Sequence, residues 1–146
     1  MITRQQIVDE ARSWIGTPFH HQAYRKGVGS DCIGMIAGVG LHFNLPGMVE
    51  WDRRSSSHNY AEQPDPRYLL SVCDEFLDRV PKAAIELADI LLLRFETDPM
   101  HFSLVTKRDP LYVIHSLSRL GRVAEHRIDD AWGGRVMRAY RLRGVE

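Results

Sequence analysis

Cysteine is scarce: Cys32 and Cys73 are the only two in 146 residues. They are too few for a disulfide framework and lack the paired Cys-x-x-Cys spacing of a structural zinc site, so both are expected to be free thiols. An excess of charge of one sign is missing as well. Nineteen Lys and Arg balance nineteen Asp and Glu, so no global field draws the chain to nucleic acid or acidic lipid. No apolar run approaches the roughly 18 residues of a spanning helix. The longest, residues 32–43, is broken by Gly34, Gly38, Gly40 and His42, and no membrane span is expected. The first residues, Met1-Ile2-Thr3-Arg4-Gln5-Gln6, lack the basic patch, apolar core and small-residue cleavage site of a signal peptide, so cytoplasmic synthesis is expected. No repeat, linker or low-complexity segment interrupts the chain. What is present is ordinary globular material, 44% apolar and 26% charged, enough for one packed domain over residues 1–146.

Thr3 and Gln6 have capping-box spacing, and Ile7, Ala11, Trp14 and Ile15 then share a helical face until Gly16 and Pro18. Residues 16–30 read as a loop. Residues 31–42 mix Ile33, Ile36, Val39 and Leu41 with three glycines, a composition suited to a short helix buried tightly against its neighbours. Residues 44–64, with two prolines and a polar run, are expected to be an irregular surface excursion. Asp65 and Pro66 can cap and open another helix, whose stripe Leu69, Leu70, Cys73, Phe76, Leu77 and Val80 runs to Pro81. The period then changes from helical to alternating. Strands are expected near 90–95, 102–106, 112–115, 122–128 and 136–142. Helices followed by strands predict an α+β domain, with the helices packed on a five-stranded antiparallel sheet.

Charge is uneven along the chain. Residues 1–100 carry ten basic and fourteen acidic side chains, whereas residues 101–146 carry nine and five. This fits a solvated outer sheet face, or a surface for something acidic.

Cys32 falls at a helix start, where unpaired backbone N–H groups and the helix dipole favour a thiolate and could also hold an oxyanion. Ser30 and Asp31 precede it as capping residues. Cys73, on a mid-helix apolar stripe, reads as packing. A cysteine nucleophile needs a base. His101 opens one strand, with Phe102 and Leu104 on the opposite face, and His115 closes the next. An antiparallel hairpin could therefore join the two imidazoles, one orienting the other. His20, His21, His42, His58 and His126 read as ordinary structural histidines.

The strings Trp14-Ile15-Gly16-Thr17-Pro18-Phe19, Asp31-Cys32-Ile33-Gly34 and Ala88-Asp89-Ile90, then His101 at a strand entry and Val113-Ile114-His115-Ser116, resemble the NlpC-type, papain-like cell-wall cysteine peptidases. The order spans nearly the whole chain. The segments Thr17-Pro18-Phe19-His20-His21-Gln22-Ala23 and Gly29-Ser30-Asp31-Cys32-Ile33-Gly34-Met35 further resemble short, leaderless members from phage and gene-transfer-agent tails.

The resemblance implies hydrolysis of murein stem peptides, commonly at the γ-D-glutamyl–diaminopimelate bond, without a cofactor or metal. Its catalytic positions are Cys32, His101 and His115, and Asp31 becomes a candidate for binding a substrate amine, in competition with its role as a cap. The implied partners are the stem peptide and proteins of a phage-like tail, and the implied location is a tail particle. Three positions depart from the pattern. Phe19 stands for a tyrosine whose hydroxyl lies near the thiol, a role that Tyr24 could take over. Ile33 replaces a serine, and Ala88 a glycine. The alternatives are a catalytically silent tail-tip component, another papain-like amidase or acyltransferase, and a zinc site built from Cys32, His101, His115 and Asp31.

Overall fold

The computed structural model describes residues 1–56, 66–95 and 101–146. Helix α1 (Arg4–Arg12) starts with the expected capping box. Thr3 Oγ1 accepts from the Gln6 N–H at 3.1 Å, and the Gln6 side chain accepts from the Thr3 N–H at 2.8 Å. Ile7, Val8 and Ala11 are buried on its inner face.

The segment expected to be a plain loop contains a short hairpin, β1 (Tyr24–Arg25) paired with β2 (Gly29–Ser30). It leads into α2 (Cys32–His42), capped by Asp31. The glycines of α2 are explained by close approach. A Cβ on Gly38 would lie 2.3 Å from the Trp14 ring, and one on Gly40 would lie 2.4 Å from the Met48 sulfur.

Residues 44–64 correct the sequence reading in part, because α3 occupies Met48–Ser56. Met48 and Trp51, three apart, are both buried, and that one apolar turn outweighs the polar residues behind it. Residues 57–64, with His58, and the Asp65 cap lie outside the described residues. Helix α4 (Pro66–Phe76) ends earlier than its apolar stripe suggested. Asp78–Val80 instead form β3, pairing with the last strand so that Val80 faces Ala139. Pro81 disfavours helical geometry at Val80, and a branched side chain suits the sheet edge.

The five expected strands are all present: β4 (Ile90–Leu93), β5 (His101–Lys107), β6 (Tyr112–Leu117), β7 (Arg122–Arg127) and β8 (Val136–Arg141). With β3 they make six, in the order β3-β8-β4-β5-β6-β7, every pairing antiparallel. Strands β4 to β7 form a meander. A single turn of helix, α5 (Asp130–Gly133), follows, and β8 then returns to pair between β3 and β4.

Alternation divides the sheet into two faces. Ile90, Leu92, Phe102, Leu104, Ile114 and Val123 join the core beneath the helices, whereas Leu91, Leu93, Val105, Val113 and Ala139 form a smaller core on the other face. At the heart of the domain Asp89 is fully buried. Its carboxylate accepts from Arg141 Nε at 2.9 Å and Nη2 at 2.8 Å, from Arg4 Nη1 at 3.3 Å and from the Glu86 N–H at 2.8 Å. One buried anion thus fastens α1 to β4 and β8.

Candidate active site

Backbone hydrogen bonds fix the segment around Cys32 from several sides. Asp31 Oδ1 accepts from the Gly34 N–H at 2.7 Å, and Oδ2 accepts from the Gln22 N–H at 2.8 Å. The Asp31 N–H donates to the Ala23 carbonyl at 3.1 Å. Both carboxylate oxygens therefore serve as caps, one for α2 and one for the loop. Burial raises the Asp31 pKa above its ordinary value, against the opposing pull of those two N–H groups.

Cys32 itself is half-buried and borders the helix-side core. Helix α2 lies across β5 and β6, the strands that carry the two candidate histidines. Ser116 Oγ donates to the Ser30 carbonyl at 2.6 Å. A residue two before Cys32 is thereby tied to the residue after His115.

The hairpin between β5 and β6 brings His101 and His115 together, as the sequence suggested. His101 Nε2 lies 2.6 Å from His115 Nδ1, and both side chains are buried. The sequence reading did not place His126 here. His126 Nε2 is 2.8 Å from His115 Nε2, and His126 Nδ1 is 2.9 Å from the Arg127 carbonyl. His115 pairs across with Ala124 and Val113 with His126, so alternation on β7 puts His126 on the same face as His115. That register was the available signal.

If the three rings are neutral, one carbonyl is compatible with a single order of protons along the row. A carbonyl only accepts, so His126 Nδ1 carries a hydrogen, and in neutral His126 the other nitrogen, Nε2, is an acceptor. His115 must then donate from Nε2 and accept at Nδ1, which makes His101 the donor at Nε2. The proton-accepting nitrogen of neutral His101 is consequently Nδ1. Burial, with the nearby His101 and His126 second, pushes the His115 pKa down to about 2, so this middle ring stays neutral.

Aromatic rings wall the row. Trp132 of α5 stands edge-on to His126 at 4.7 Å and to His115 at 5.6 Å between ring centroids. Phe95 meets Trp132 at 5.0 Å and His101 at 5.7 Å. The guanidinium carbons of Arg135 and Arg119 lie 5.2 and 5.9 Å from the Phe95 ring centre, so part of the C-terminal positive charge gathers beside the histidines.

Phe19 is half-buried and bridges to Ser30. Tyr24 is half-exposed and, with His20, Gln22 and Val28, lines a cavity of about 470 Å³ along the β1–β2 hairpin. Cys73 is sealed in the core, and its thiol is pushed up to about 12 mainly by burial. Among the described residues no group of three His, Cys, Asp or Glu is placed to hold a metal ion, and no helix is long and apolar enough to cross a membrane.

No family model and no curated protein matches the sequence. Solved structures do match in fold. The NlpC/p60 domain of the peptidoglycan hydrolase SagA superposes with a TM-score of 0.62 at 16% identity, covering 97% of this chain and 100% of that one. An NlpC/p60 family protein from Bacillus cereus gives 0.66 at 13% identity, over 96% of this chain and 40% of that one. A lipoprotein-like NLP/P60 family protein from Staphylococcus aureus gives 0.63 at 14%, over 95% and 41%. The chain thus spans all of the first structure and about two fifths of the other two. Its fold is that of NlpC/p60 peptidoglycan hydrolase domains, α+β with N-terminal helices on an antiparallel sheet.

Proposed function

We propose that the protein is a cysteine peptidase that hydrolyses an amide bond in murein stem peptides, the γ-D-glutamyl–diaminopimelate bond being the favoured target. The observation that carries this reading is the buried His101–His115 pair at 2.6 Å, with its proton order set from behind, in the fold of NlpC/p60 hydrolases. In the proposed reaction His101 Nδ1 takes the Cys32 proton and the thiolate attacks the amide carbonyl, closing a C–S bond. The Cys32 N–H, at the start of α2, stabilises the oxyanion. His101 then returns the proton to the departing amine as the C–N bond breaks. Water, deprotonated by His101, next attacks the thioester, releasing the acid and regenerating the thiol. The thiol on the helix side must reach the imidazole at the end of the sheet where β5 begins. The tether between Ser30 and Ser116 supports that approach. Asp31 and Tyr24 are proposed to border the substrate, with Phe19 in the place of the tyrosine.

The setting we propose is a phage-like tail whose peptidase opens the wall locally, a reading that rests on the resemblance of residues 17–23 and 29–35 to peptidases of such tails. Purified protein should release stem-peptide fragments from murein, identified by mass spectrometry. Cys32→Ser should abolish release without altering the circular dichroism spectrum. Equal digestion by the variant overturns the mechanism. A silent structural role predicts that iodoacetamide near pH 6 modifies Cys32 no faster than the deeply buried Cys73, whereas the peptidase reading predicts fast modification of Cys32 alone.

A further inference from the structure

We infer that His126 is a positioning residue of the site: by accepting a hydrogen bond from His115 while anchored to the Arg127 carbonyl, it selects the tautomer of His115 and, through it, of His101. The inference rests on the peptidase reading for its consequence, but the interaction itself is independent of any substrate.

The geometry leaves little freedom. The Arg127 carbonyl belongs to the same strand as His126 and lies 2.9 Å from Nδ1, so the ring is held at its base by its own backbone. Trp132 packs its ring against the side of His126 at 78°, and its backbone N–H donates to Asp129 Oδ1 at 2.9 Å at the start of α5. Nε2 then points at His115 Nε2 from 2.8 Å. Without that acceptor a neutral His115 can carry its hydrogen on either nitrogen. With the hydrogen on Nδ1, His115 would donate to His101 Nε2, which would place the hydrogen of neutral His101 on Nδ1, where it cannot take a proton from a thiol. His126 therefore excludes an unproductive proton order at one remove from the reacting atoms. Wrong tautomers of this kind are costly in other histidine-dependent hydrolases.

Among the described residues, the titratable groups that meet His126 lie on neighbouring strands. His115 meets it from β6 with His101 behind on β5, the α5 side presents the neutral Trp132, and the guanidinium groups of Arg119 and Arg135 sit over Phe95, which packs on Trp132.

The test compares His126→Phe, which keeps a ring beside Trp132 and removes the acceptor, with His126→Gln, whose amide oxygen can accept again. His126→Leu replaces the Phe variant if circular dichroism shows that variant to be unfolded. Two-bond proton–nitrogen spectra of the 15N-labelled full chain at pH 7 should show His115 as the Nε2–H tautomer in the parent and in His126→Gln. A mixture or the Nδ1–H form is expected in His126→Phe. In parallel, iodoacetamide modification of Cys32 across pH 5 to 9 should lose its mildly acidic reactive limb in His126→Phe, slowing about tenfold or more, and should recover in His126→Gln. An unchanged His115 tautomer in the folded Phe or Leu variant overturns the inference, as does a Cys32 profile identical to that of the parent. If the parent's own Cys32 is no more reactive than Cys73, the peptidase reading fails, and the tautomer spectra still decide the role of His126.

Discussion

Replacing Gly34 by alanine should loosen the candidate nucleophile's platform although alanine is the better helix former. A Cβ built on Gly34 lies 2.0 Å from the Ala23 carbonyl oxygen, 2.9 Å from its carbon and 3.0 Å from Asp31 Oδ1. An ordinary carbon–oxygen contact is about 3.3 Å, so the two backbones must part by more than an ångström. The same carbonyl accepts the Asp31 N–H, and that bond, worth about 1 kcal/mol, is lost as they separate. Overpacking against backbone adds about 1–3 kcal/mol, and the helix propensity of alanine returns about 1 kcal/mol. The net expectation is a loss of about 2 kcal/mol, a fall of roughly 4–8 °C in melting midpoint for a domain of this size. Gly133→Ala provides the contrast, since nothing lies within 4 Å of its added Cβ; it should be neutral or stabilising by up to about 1 kcal/mol. Urea unfolding of both variants with unchanged m-value measures the difference. A Gly34→Ala protein as stable as Gly133→Ala would show that the β1–β2 hairpin does not press on the start of α2, and would refute the argument.

Ala88 adopts φ +68°, the left-handed region, at the position where NlpC-type sequences have glycine. Ala88→Gly should therefore stabilise the fold by about 0.5–1 kcal/mol in urea, and destabilisation would refute the strain. Glu10 is desolvated, which raises its pKa, but Lys26 Nζ at 2.7 Å, Trp14 Nε1 at 2.9 Å and His42 together hold it below the ordinary value. A carboxylate with a depressed folded-state pKa contributes stability that is present above its unfolded value and is lost as pH falls through the folded one. Glu10→Gln should accordingly be less stable than the parent at pH 7, and the difference should vanish as pH falls through the depressed folded-state pKa of Glu10, as measured by thermal melts across the acidic range. Arg141→Met should cost several kcal/mol, on the order of 3, because it strips Asp89 of its two-pronged partner in the buried core; a loss under 1 kcal/mol in urea would show that Arg4 alone suffices.

Much of this arrangement was legible in residue order because its cues are local. The Thr3 box, the Asp31 cap and the alternation that puts His101 and Phe102 on opposite faces each depend on residues within a few positions. The cues that failed were of two kinds. Where a polar run followed a short apolar turn, as after Trp51, composition hid a helix whose burial is tertiary. Where a stripe could be read with either period, as at Leu77 to Val80, only the pairing partner Ala139 decided for strand. His126 belongs to neither class. Its role depends on the register of β6 against β7, and that register places Ala124, rather than another histidine, directly across from His115.

Three costs in this fold lie at the start of α2 and on β6, which α2 crosses. Asp31 is a carboxylate drawn out of water, Gly34 surrenders helix propensity so that a carbonyl can approach, and His115 is buried so deeply that it cannot charge. A domain selected only for stability would relieve each of them cheaply, with an exposed cap, an alanine and an apolar residue. Costs of this kind, kept where a cheaper residue would serve stability, mark positions whose geometry matters more than stability. All three act on geometry: Asp31 fixes where α2 begins, Gly34 fixes how closely the loop covers it, and His115 passes a proton order from Arg127 to His101 without itself changing charge. Fixed position at a helix start and a fixed tautomer are what the proposed acyl-transfer thiol and its base require, and a purely structural role has no use for the second.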